Sequence, residues 1–183
     1  GTGPGRHRLD RPGGRRAPQR DEPAILSGAW GMLRVTVICV GKLKEKFYAQ
    51  AAAEYVKRLG RYCKLELIEL PEQRLPDAPA PAEIERALSR EAEAIRGKIP
   101  PSASVVALCI EGRLHSSEEV ARLLGSWQQR GEKCLVFVIG GSYGLHPSVK
   151  SGAWVQLSMS PMTFPHHLAR VMLLEQIYRG FQI

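Results

Sequence analysis

The chain has 183 residues, 44% of them hydrophobic, which is enough for one domain with a proper core. Its 26 Lys and Arg against 18 Asp and Glu leave a net charge of +8, which suits a polyanionic partner without specifying one. No apolar run reaches the roughly 18 residues of a transmembrane helix, and Cys39, Cys63, Cys109 and Cys134 lack metal or redox spacing. These features point away from a membrane and from a metal site, toward a reducing cytoplasm with the cysteines as reduced, buried small hydrophobes.

Residues 1–31 are rich in Gly, Pro and Arg and show almost no apolar periodicity. Such a segment cannot bury enough surface to offset its ordering entropy, and it has no signal-peptide centre. It reads as a disordered basic leader, able to grip RNA, or as an upstream extension with Met32 opening the domain. The second is expected, so the domain spans 32–183.

Leu33 to Val40 is a β-rich run ended by Gly41. From Lys44 to Leu59 the spacing predicts a helix with Phe47, Ala51, Tyr55 and Leu59 on one face. Lys64 to Leu70 alternates polar and apolar, as a strand near a sheet edge does. Pro71 to Pro81 holds four prolines and is a loop. Glu83 to Lys98 is a charged amphipathic helix with Ile84, Leu88 and Ile95 on its buried side. Ser104 to Ile110 is a third strand, followed by Glu111-Gly112-Arg113. Ser116-x-x-Glu119 is a capping box opening a helix that buries Val120, Leu123, Leu124 and Trp127.

Leu135-Val136-Phe137-Val138-Ile139 is an apolar run that stops at Gly140-Gly141-Ser142-Tyr143-Gly144, a buried strand with glycines at its C-terminal end. His146 to Ser151 makes a short turn or helix. Ala153 to Ser158 is a fifth strand, and a last helix runs from about Pro165 to Gly180. The alternation gives an α/β fold with a parallel-rich sheet, and ligands bind such sheets beyond the strands' C-terminal ends. The glycines match neither the phosphate-binding loop, for want of a following Lys-Ser/Thr, nor the dinucleotide fingerprint. No Asp or Glu lies between Glu132 and Glu175. A ligand here is held by backbone groups and apolar walls.

Val138-Ile139-Gly140-Gly141-Ser142-x-Gly144-Leu145-His146, then Leu157-Ser158-x-x-x-Met162-Thr163-Phe164-Pro165-His166, then Arg170-Val171-x-Leu173-x-Glu175-Gln176-x-Tyr178-Arg179, resemble the large-subunit ribosomal RNA methyltransferase H family, a small SPOUT-class methyltransferase. Val40-Gly41-Lys42-Leu43-Lys44 is similar to that family's first strand and turn, so the resemblance covers roughly residues 32 to 183. It implies a single SPOUT-type domain with a five- to six-stranded sheet, flanking helices and a C-terminal trefoil knot, paired as a homodimer. It also implies transfer of a methyl group from S-adenosylmethionine to N3 of a pseudouridine in 23S rRNA of the assembled ribosome. Family members continue past the equivalent of Ile183 with a short tail containing a Tyr-His pair; the sequence here ends at Ile183.

Matching positions in the family place S-adenosylmethionine at Leu108, Gly140 and the loop Met159, Ser160, Pro161, Met162, Thr163 and Phe164. Main-chain groups there can read an adenine edge while Leu108, Met159, Met162 and Phe164 sandwich its face. From spacing alone Met162 and Phe164 fit a core equally well. A valine at Gly140 is expected to fill ligand space while the fold survives.

Displacement at a sulfonium needs alignment more than strong acids, but the N3 imide proton must be taken up. His166 and Arg170 lie four apart on one helix face. They are the candidate catalytic pair, His166 to accept the proton and Arg170 to hold a phosphate or base carbonyl. A helix-opening polar residue after Pro165 is the plain alternative for His166. Glu175 and Arg179 are spaced to pair with each other. Val171, Leu174 and Tyr178, widened by Met172, Ile177 and Phe181, offer an apolar face for the dimer, with Arg170 or Arg179 reaching toward the partner's site. Competing readings are a SPOUT methyltransferase acting on another RNA such as tRNA, and a non-catalytic ribosome-binding module.

Overall fold

The computed structural model describes residues 33–183. The expectations for residues 1–31 and for Met32 lie outside the described residues.

Five strands form one sheet: β1 (Arg34–Val40), β2 (Lys64–Leu70), β3 (Ser104–Leu114), β4 (Cys134–Ile139) and β5 (Val155–Ser158). Their order is β2-β1-β4-β3-β5, and every pairing is parallel. The α/β class and the parallel sheet stand as expected, with five strands. β4 is central and buried from Leu135 to Ile139, which is why it reads as an unbroken apolar run. β2 is an edge strand, and its charged positions Lys64, Glu66 and Glu69 are exposed. That is the origin of its alternation.

The helices are α1 (Lys46–Leu59), α2 (Pro81–Arg96), α3 (Ser117–Gln129), α4 (Pro147–Ser151) and α5 (His166–Gln182). On one face of the sheet, Leu59 of α1, Trp127 of α3 and Leu174 and Ile177 of α5 share a core with Val37 and Phe137. On the other, Ala92 and Ile95 of α2 and Val149 of α4 pack with Ile38, Ala107 and Val138. The capping box starts α3 as read: Ser116 Oγ accepts the Glu119 N–H at 3.1 Å, and Glu119 Oε1 accepts the Ser116 N–H at 3.3 Å. Cys39 and Cys63 are buried and Cys109 and Cys134 half-buried, all with free thiols. Burial pushes the Cys39 and Cys63 thiols up to about 12, so neither is a nucleophile at neutral pH.

One face differs from the sequence reading, and two others are only refined. In α1, Phe47 is 63% exposed, and the buried residues are Ala52 and Leu59. Steps of four overshoot a 3.6-residue turn by about 40°, so three steps carry Phe47 roughly 120° from Leu59. In α2 the buried residues are Ala87, Glu91, Ala92 and Ile95, with Ile84 and Leu88 only half-buried. In α5, Leu174 and Ile177 are consumed by the chain's own core. The half-buried Val171, Met172, Tyr178 and Phe181 are what remains of the apolar face assigned to a dimer. β3 also runs four residues past Ile110, and its pairing with β5 jumps from Leu108 to Arg113. The intervening residues leave the ladder, which opens space between the two strands at their C-terminal ends.

Candidate functional site

That space is a cavity of about 410 Å³. Its floor is β4's end and the glycine turn, Ile139 to Leu145; one wall is the β3 bulge from Leu108 to Glu111; the other is the loop after β5. Across its outer side Lys150 of α4 makes an ion pair with Glu111. The glycine turn is tight: the Gly144 N–H donates to the Gly141 carbonyl at 3.1 Å, and Gly144 has φ +76°, where glycine alone is unstrained. His146 secures the next element, since its Nδ1 accepts the Ser148 N–H at 3.1 Å and its Nε2 meets Glu85 Oε1 at 2.7 Å.

Of the residues singled out from the sequence, Leu108, Gly140, Met159, Ser160, Met162, Thr163, Phe164 and His166 line this one cavity. Met162 is 68% exposed, so the reading of it as ordinary core falls away. Ser160 shapes the loop through its Oγ, which accepts the Met162 N–H at 3.0 Å. Pro161 is exposed and outside the lining. It sits at the crest of the turn that Ser160 closes.

Arg170 corrects the sequence reading. Its side chain is only 1% exposed and lies outside the cavity lining. Nη1 donates to Glu69 Oε2 at 2.6 Å and Nη2 to the Gly41 carbonyl at 2.9 Å. The same Glu69 oxygen accepts the Leu43 N–H at 3.0 Å. A guanidinium buried and hydrogen-bonded to both Glu69 and Gly41 is not available to a phosphate, a base or a partner's site. Its work is to tie α5 to the turn after β1 and the end of β2, which fixes where His166, one helical turn earlier, stands. Arg179 is paired within α5, its Nε donating to Glu175 Oε1 at 2.9 Å.

Burial pushes the Glu69 carboxyl up, but hydrogen bonds from Arg170 and the Leu43 N–H outweigh it and hold the group below its ordinary 4.5. A depressed carboxylate contributes stability above its unfolded value and loses it as pH falls through the folded one. Glu69→Gln is therefore expected to flatten the acid limb of the melting temperature below pH 4.5, relative to wild type, in a pH series of thermal melts.

His166 opens α5 at the cavity's inner edge. Its Nε2 is buried without a hydrogen-bond partner among the described residues, and Glu72 Oε2 stands 4.0 Å away. Burial and the neighbouring His167 hold its pKa below the usual value of 6.5, against the pull of Glu72. The shift favours the neutral imidazole, the form a proton acceptor needs. Glu72 itself passed unremarked in the sequence, because it lies in the proline-rich loop and no periodicity marks it.

A cavity beyond the C-terminal ends of β3, β4 and β5, walled largely by main chain and apolar side chains, with Glu111 the one carboxylate among the described residues that line it, suits group transfer by alignment. The family described as "Predicted SPOUT methyltransferase" matches residues 33–183, and the chain belongs to that family. It is a methyltransferase of the SPOUT class. Among solved structures it is similar to a probable methyltransferase from Bordetella pertussis Tohama I, at 17% identity and a TM-score of 0.51, over 81% of this chain and 96% of that one. It also matches a probable methylase family protein from Haemophilus influenzae Rd KW20, at 16% identity and a TM-score of 0.46, over 81% of this chain and 66% of that one. At such identity the first likeness is one of fold.

Proposed function

We propose that the protein methylates N3 of a pseudouridine in 23S rRNA of the assembled ribosome, with S-adenosylmethionine as donor. The observation that carries this reading is the single cavity into which the glycine turn, the β3 bulge and the Met159–Phe164 loop all project. SPOUT methyltransferases generally use S-adenosylmethionine, and the cavity fits it: about 410 Å³ is within the range for small-molecule sites. Leu108, Met159 and Phe164 supply apolar walls for an adenine face, and the main chain of Gly140 and Thr163 supplies polar groups for its edge. Bound there, the cofactor supplies an electrophilic methyl group. The chain's own residues align it, exclude water and, at His166, take up the substrate proton.

The rim supports an RNA substrate. Tyr143, Met162 and Ile110 are large exposed apolar side chains around the mouth, able to meet an unstacked base. Lys42, Lys44 and Lys46 are exposed just past Gly41, where an added Cβ would stand 3.5 Å from His166 Nε2, and can meet phosphates. A second concavity of about 440 Å³ runs along α5 through Val171, Met172 and Gln176, and shares Leu157 and Met159 with the first. It supports the homodimer in this reading, with the partner set against α5 and next to the cofactor wall. The trefoil knot and a cytoplasmic location belong to the same reading.

The test is methylation with labelled S-adenosylmethionine, offering assembled ribosomes, separate subunits and tRNA, followed by mapping of the labelled nucleotide. Label at N3 of a 23S pseudouridine, on assembled ribosomes above all, is the expected result. Label in tRNA would move the substrate. Calorimetry with S-adenosylmethionine that showed no binding would leave a non-catalytic module.

A further inference from the structure

Glu72 stands in the β2–α2 loop, far along the chain from the cavity's own loops, yet its carboxylate touches the site at two points. Oε1 accepts the Ser142 N–H at 2.8 Å, at the centre of the glycine turn. Oε2 faces His166 Nε2 at 4.0 Å. We propose that Glu72 is the positioning residue of this site: one oxygen holds the glycine turn in place, and the other orients His166 and balances the charge it gains on accepting a proton. The second half rests on the reading of His166 as proton acceptor.

Three observations converge. The carboxylate packs directly on Gly141: a Cβ there would stand 2.6 Å from Glu72 Oε1 and 2.9 Å from its Cδ. The carboxylate is aimed from behind. The Gln73 N–H donates to Glu91 Oε2 at 3.0 Å, and Glu91 is 6% exposed on α2, so α2 pins the loop at the residue next to Glu72. Finally, His166 Nε2 is buried and unpartnered. A shift of about 1 Å would bring that nitrogen into hydrogen-bond range of Glu72 Oε2.

The charged groups around the imidazole set the balance. His167 on α5 packs against it at 4.2 Å between ring centroids, and Glu45 from the turn before α1 faces His167 at 3.6 Å. Arg170, one turn on, is already held by Glu69. Glu72 is the anion nearest Nε2. A carboxylate there favours the tautomer with hydrogen on Nε2, leaving the Nδ1 lone pair to act. The proton from a substrate N–H passes to Nδ1, its bonding pair stays on the substrate nitrogen, and the imidazolium's positive charge forms beside Glu72.

Glu72→Gln separates the two roles, because its amide oxygen still accepts the Ser142 N–H while the charge is gone. In the protein without cofactor, the His166 imidazole titration followed by NMR is expected to move to lower pH in Glu72→Gln. Affinity for S-adenosylmethionine should stay within about twofold, and kcat should fall about tenfold with KM unchanged. Glu72→Ala, which frees the turn as well, should also weaken cofactor binding about tenfold. A His166 titration identical to wild type in Glu72→Gln overturns the proposal, as does cofactor binding unchanged in Glu72→Ala. Full methyl transfer by His166→Asn overturns instead the reading of His166, and with it the catalytic half. The titration and the Glu72→Ala affinity then still decide whether Glu72 orients the ring and holds the turn.

Discussion

Gly140→Val is expected to abolish S-adenosylmethionine binding and to lower the melting temperature at the same time. A Cβ at Gly140 would stand 2.4 Å from both the carbonyl carbon and the oxygen of Gly144, and 3.0 Å from its Cα. Those are backbone atoms and cannot rotate aside. The sequence suggested that a valine would intrude on the ligand and leave the fold alone; the structure puts the collision inside the turn itself. Relief requires opening the Gly141–Gly144 turn, which pulls the Ser142 N–H away from Glu72 and removes the cavity's floor. Alanine, which adds the same Cβ, should therefore suffice: titration calorimetry is expected to show at least roughly hundredfold weaker binding for Gly140→Ala, a loss of about 3 kcal/mol. Gly125→Ala in α3 is the control, since a Cβ there meets nothing within 4 Å. It should bind normally and gain up to about 1 kcal/mol of stability from helix propensity. Wild-type affinity in a folded Gly140→Ala protein would remove the turn from the site.

How much of this was legible beforehand depends on which force wrote each feature. β4 and β2 are plain in the sequence because burial on both faces erases polar residues and an edge restores them, and position along the sheet is the cause of both patterns. The cavity loops are legible for a related reason: Gly140, Gly144 and Pro165 are backbone requirements that few other residues meet. Longer-range features leave no local mark. A four-residue step followed through three turns points Phe47 inward, because its error in phase accumulates. The β3 bulge depends on where β5 lies, and β5 comes far later in the chain: Leu114 pairs with Ser158, 44 residues further on. The roles of Glu72 and Arg170 are not legible, since neither a loop glutamate nor a helical arginine shows in sequence which elements it will join.

Arg170→Ala is the second variant with a large expected effect, and it acts on stability rather than on RNA contact. The substitution leaves the Gly41 carbonyl without its donor and Glu69 without its cation. Removing one partner of a buried ion pair costs about 3–5 kcal/mol. The exposure of Glu69, 36% of its side chain, lets water recover part of that, so about 3 kcal/mol is expected, a fall in melting temperature on the order of 10 °C. Arg170→Met combined with Glu69→Gln removes both charges, keeps the volume, and should recover part of the loss. The discriminating measurement is the salt dependence of RNA binding, taken well below the melting temperature. An arginine that contacts a phosphate contributes about one unit to the slope of log K against log salt. Arg170→Ala is expected to leave that slope unchanged, while Lys42→Ala or Lys44→Ala lowers it. Loss of a full unit of slope in Arg170→Ala, with stability intact, would return Arg170 to the RNA-binding face and undo its assignment as the tie between α5 and the end of β1.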